Sequence, residues 1–196
     1  MMKKWTQSCL AIAILLASAV THAAAYRVEV DTQSVSQQNG FIYFSLGSLL
    51  GSPAIDAQIS QLTGWQSLGA IELQDGQVSG GLPSKLTLSS NSPSSFVAQG
   101  LTFGQKLSFV LNFGGDWQGT PSADGSSFVA QLLDQNYTSL LGNASGSIFQ
   151  IDAVAHTPMQ PELGLSTQVA PVPEPETYAL MGLGLLALIA RRKRHY

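Results

Sequence analysis

The chain is nearly without cysteine: Cys9 is the single one in 196 residues, and it falls within the first twenty-five. Once that segment is removed, no disulfide, thiolate zinc site or cysteine nucleophile can be built. Cations are almost as scarce away from the ends. Lys3, Lys4, Arg191, Arg192, Lys193 and Arg194 are terminal, which leaves Arg27, Lys85 and Lys106 for residues 26–172. Ten acids stand against those three, so this body carries a net −7. Such a surface offers no electrostatic footprint for nucleic acid, and that class is excluded.

Catalytic patterns are correspondingly thin. His22 and His195 belong to the terminal segments, leaving His156 alone in the body, beside Pro158, where it reads as a solvated loop residue. No G-x-S-x-G nucleophile elbow, no H-E-x-x-H and no EF-hand loop occurs. The glycines are scattered at turns and form no phosphate cradle. Glu29, Glu72, Glu162 and seven aspartates show no spacing that marks a facing glycosidase pair. The body reads as a non-enzyme without a cofactor.

What the chain does have is an apolar run near each end. Lys3 and Lys4 precede the apolar residues 10–20, and Ala23, Ala24 and Ala25 supply a small-x-small exit. Residues 1–25 are therefore expected to be a signal peptide cut by signal peptidase between Ala25 and Tyr26, with a cut after Ala23 as the weaker alternative. Cys9 lies before the apolar run, whereas a lipidated cysteine would follow it.

At the other end, Val172-Pro173-Glu174-Pro175 is stiff and extended, since each proline fixes its own φ and restrains its predecessor. An uncharged apolar run fills 178–190, and Arg191, Arg192, Lys193 and Arg194 form a basic stop. Those thirteen residues reach about 20 Å as a helix, against a hydrocarbon core of about 30 Å. The expectation is a single short transmembrane helix with its basic end in the cytoplasm and residues 26–176 outside. A span that short suits a temporary stop better than a permanent anchor.

The order Pro173-Glu174-Pro175, apolar helix, basic end resembles the PEP-CTERM sorting signal of Gram-negative bacteria. The resemblance implies recognition by an exosortase, a membrane-embedded cysteine transpeptidase or protease thought to cut near the motif. It also implies transient residence in the inner membrane, and an association with extracellular polysaccharide and biofilm. Residues 82–88 and 99–109, LPSKLTL and QGLTFGQKLSF, resemble a subset of these proteins whose sandwich-like body has no established activity.

Between the signals the chain reads as strands and turns. Leu107, Phe109, Leu111 and Phe113 alternate with Ser108, Val110 and Asn112, the period of a strand with one face in a core. Further strands are expected at 26–31, 41–46, 54–60, 70–73, 85–88, 101–103, 127–133, 148–153 and 165–169. Asn39-Gly40, Asp75-Gly76, Gly80-Gly81, Gly114-Gly115 and Asp124-Gly125 supply turns. The fold class expected is all-β, an antiparallel two-sheet sandwich of jelly-roll type over 26–156. Proline-rich residues 157–171 are expected to be a linker and 172–196 the sorting signal.

Two ligand readings stay open. Asp116 and Asp124 flank a Gly/Ser-rich loop that could hold calcium, and turn formation is the plainer role for both. Trp117 in the same loop could stack on a sugar, whereas Trp65 suits a core. The leading reading is an exported surface or matrix protein sorted by an exosortase. The alternative is a carbohydrate-binding module of the same matrix, and an extracellular hydrolase comes third.

Overall fold

The structure, a computed structural model, describes residues 25–115, 125–154, 160–172 and 181–184. Eleven strands account for most of them: β1 (Ala25–Asp31), β2 (Asn39–Ser48), β3 (Ile55–Asp75), β4 (Gln77–Gly81), β5 (Lys85–Ser89), β6 (Ser94–Gly115), β7 (Gly125–Leu133), β8 (Ser139–Leu140), β9 (Phe149–Val154), β10 (Pro161–Leu163) and β11 (Thr167–Pro171). A 3-10 turn, Gln33–Val35, joins β1 to β2. All the pairings are antiparallel, and they join the strands into one sheet in the order β10-β9-β7-β2-β6-β3-β5-β4, with β1 on β6, β11 on β1 and β8 on β7.

A continuous sheet encloses a core because β6 serves two arms. Its first half pairs with β2 from Asn39↔Thr102 to Gly47↔Ser94, and its second half pairs with β1 from Ala25↔Asn112 to Asp31↔Lys106. β3 follows β6 along the whole of this course, with register shifts between Ser60 and Leu73. The bend is made of glycine. Gly64 has φ +88°, and a Cβ there would run into the Lys106 carbonyl; a Cβ on Gly104 would run into the Gly64 carbonyl. Only residues without a side chain let the two backbones approach this closely. Thr32, fully buried, donates from Oγ1 to the Gly104 carbonyl at 2.8 Å and ties the first connection to the same corner.

The two arms face each other through aromatic side chains. Phe44 on β2 meets Phe109 on β6 edge-on at 5.2 Å, Phe113 meets Phe128 at 6.0 Å, and Tyr26 on β1 meets Phe149 on β9 at 6.2 Å. Phe44, Phe103, Phe109, Phe128 and Phe149 are all fully buried. Burying each stabilises the fold by about 2–3 kcal/mol before entropy is counted, and this core holds a body that has no cysteine. The expected sandwich is thus a single sheet folded over on itself rather than two separate sheets.

The proline-rich stretch differs more. Expected as a linker over 157–171 with a strand at 165–169, it supplies β10, paired with β9, and β11, which overlaps that expected strand and pairs with β1 from Tyr26↔Pro171 to Val30↔Thr167. Both strands lie at sheet edges, where a missing N–H costs no ladder bond if it faces outward, so Pro161 and Pro171 are tolerated. Val169 packs against the core. The compact body accordingly runs over 24–171, and the terminal segments 1–23 and 172–196 form a separate unit.

In that second unit residues 181–184 are helical. The rest of the expected transmembrane run, 178–180 and 185–190, lies outside the described residues. No helix among the described residues is long and apolar enough to cross a membrane.

Candidate functional site

The two expected processing points are reached from neighbouring strands. Ala25, expected as the last residue of the signal peptide, begins β1, is buried, and pairs with Asn112. The Ala25–Tyr26 bond therefore lies inside a strand, and a mature chain beginning after Ala23 would keep β1 whole. Tyr26 is opposite Pro171, the last residue of β11. Pro173, Glu174 and Pro175 follow within four residues of it. Those two prolines and the acid between them, and the basic stop Arg191, Arg192, Lys193 and Arg194, lie outside the described residues.

The expected ligand residues Asp116, Trp117 and Asp124 also lie outside the described residues, as does His156. Among the described residues no cluster of three metal-ligating side chains occurs. Trp65 is partly buried against the core, and its indole N–H donates to the Leu62 carbonyl at 3.3 Å. The packing role expected of it is the one it has.

One polar cleft of about 370 Å³ opens between β1, β6 and the turn before β11, lined by Glu29, Asp31, Gln33, Lys106 and Ser166 among others. Its charges are already engaged. Lys106 Nζ meets Glu29 Oε2 at 2.5 Å on the surface, and Asp31 Oδ1 accepts the Gln33 backbone N–H at 3.0 Å. Exposed pairs of this kind contribute about 0–1 kcal/mol.

The outward face of the β7–β2–β6 arm is different in kind. Register places Asn39, Phe41, Tyr43 and Ser45 of β2 on it, beside Leu133, Gln131 and Val129 of β7 and Thr102, Gly100, Ala98 and Phe96 of β6. Phe41 stacks on Tyr137 with ring centroids 4.9 Å apart and planes 3° from parallel, and Tyr43 leans on Phe96 at 5.9 Å. Tyr137 is 46% exposed and has φ +60°, unusual for an aromatic residue. Asp134 holds that turn: its Oδ1 accepts the backbone N–H of Asn136 and of Thr138, each at 2.8 Å, and its carbonyl accepts the N–H of Tyr137 at 3.1 Å. Burial raises the Tyr43 phenol above its ordinary value of 10.0, with a hydrogen bond to Ser45 acting the other way. Composition gave little sign of this face, because its rings come from three separate segments and only the register unites them.

Residues 171–194 match the PEP-CTERM protein-sorting motif. No curated protein and no solved structure matches the chain.

Proposed function

We propose, from the PEP-CTERM sorting motif that this chain carries at residues 171–194, that it is the precursor of an exported protein cut by an exosortase, with 24–171 as the delivered body. The motif implies export, a membrane-anchored precursor and processing by an exosortase. The observation that carries the rest is a coincidence of boundaries. The motif begins at Pro171, where β11 ends and the compact body ends with it. A cut beyond that point removes the apolar run and the basic stop and leaves every strand intact.

The body acts at the cell surface or in the extracellular matrix, among exported polysaccharide, as a structural rather than a catalytic component. A disulfide-free sheet with a continuous aromatic core supports that role. Replacing Pro173, Glu174 and Pro175 together with alanine tests the sorting step. Cell fractions should then show the uncut protein held in the inner membrane, and normal release of the triple variant would sink the reading.

A further inference from the structure

We propose that the outward face of the β7–β2–β6 arm is a binding site for a neutral polysaccharide, with Tyr43 and Tyr137 as its principal contacts. This goes beyond sorting and does not depend on it. A sugar ring presents an apolar C–H face that gains by covering an aromatic ring, while its rim of hydroxyls needs hydrogen-bonding partners. The face supplies both. Phe41 and Tyr43 alternate along one strand, about 7 Å apart at the rise of an extended chain, with Tyr137 stacked over Phe41 and Phe96 tilted beside Tyr43. Small residues opposite the rings, Gly100 and Ala98, let them lie along the sheet; a Cβ on Gly100 would stand 3.9 Å from the Phe41 ring. Hydroxyl and amide groups border the row, where Thr102 Oγ1 donates to Asn39 Oδ1 at 2.7 Å.

Charge decides the class of ligand. The body holds ten acids, yet where β7, β2 and the first half of β6 (94–102) pair, the outward positions hold no acid and no base. The nearest acids on flanking strands, Asp75 opposite Phe96 on β3 and Asp152 opposite Ser127 on β7, stand at the border. An anionic polymer would find no cation there and would meet acids at the edges, and a basic peptide would find no partner for its charge. A neutral chain of sugars satisfies the surface as it stands. Tyr137 adds an independent argument. A left-handed backbone position favours glycine or asparagine, so an exposed aromatic kept there, with Asp134 holding the turn, points to use of the ring.

The test is native-gel affinity electrophoresis of the full-length protein in detergent. The gels contain soluble neutral glucans, galactans and mannans, with an acidic polyuronate for comparison. At least one neutral polymer should retard the protein. Tyr137→Asn, which suits the left-handed backbone, and Tyr43→Ser should each weaken that retardation about tenfold or more with the melting temperature nearly unchanged for Tyr137→Asn. Retardation by no neutral polymer, equal or stronger retardation by the polyuronate, or retardation unaltered in both variants would each overturn the proposal. A dimer that Tyr137→Asn dissociates, without any sugar binding, would overturn it in favour of a self-interface.

Discussion

Tyr26 and Pro171 are Cα partners across the β1–β11 pair. The first residue beyond the expected signal-peptide cut thus stands opposite the first residue of the sorting motif. The start of β1 and the end of β11 therefore lie side by side on adjacent strands, and the last strand before the motif is part of the fold.

That pairing can be locked. Arg27 and Ala170 are exposed partners one step further along, and antiparallel partners lie about 4.5–5.5 Å apart, within reach of a disulfide. Arg27→Cys with Ala170→Cys should form a bridge spontaneously on export and stabilise the body by roughly 3–5 kcal/mol, since it closes a long loop. Free thiols in both positions after oxidation, measured by alkylation and mass, would instead favour a loose linker over 157–171.

The corner of the sheet makes a second prediction. Gly104→Ala places a Cβ against the Gly64 carbonyl and should cost about 2–4 kcal/mol in denaturant unfolding. Gly47→Ala, with nothing within 4 Å of the added carbon, should change stability by about 0.5 kcal/mol or less. Equal effects at the two positions would contradict the close approach of β3 and β6.

The two faces of β2 make a third. Phe44 is fully buried between the arms while its neighbour Tyr43 points outward. Phe44→Ala should cost about 3–5 kcal/mol, several times the cost of Tyr43→Ser. A reversed order, read from urea midpoints, would mean that the register is shifted by one residue.

Alkaline pH supplies a fourth. Burial raises the phenols of Tyr26 and Tyr43 above 10.0. The folded state therefore holds these protons more tightly than the unfolded chain, so their stabilisation is complete below pH 10 and is lost as pH rises through the folded values. The unfolding midpoint should fall as pH rises above about 10, and Tyr43→Phe should reduce that fall. A fall of the same size in Tyr43→Phe would deny Tyr43 its share.

The alternating strands were legible in the sequence because one-sided burial writes itself as period two. Residues 106–113 with Phe109 and Phe113, and 54–60 with Ile55 and Ile59, read as strands; the first lies within β6, and the second falls in β3 from Ile55 on. Their true lengths were not legible. Gly104 and Gly64 look like breaks between short strands, whereas they are the bends of two long ones. The strand expected at 165–169 overlaps β11, but proline hid β10 and the extension of β11 to Pro171, since Pro161 and Pro171 forbid a central strand but not an edge. The aromatic face was invisible for a third reason. Phe41, Phe96 and Tyr137 are far apart in the chain, and only pairing between β2 and its neighbours gathers them.

The central claim concerns what happens to the C-terminus, and intact-mass measurement of the protein from a host with and without its exosortase tests it most directly. With the enzyme, the mature chain should end beyond Pro171 and lack the apolar run and Arg191 to Arg194; without it, the chain should end at Tyr196. A chain ending at Tyr196 in both hosts would contradict the account.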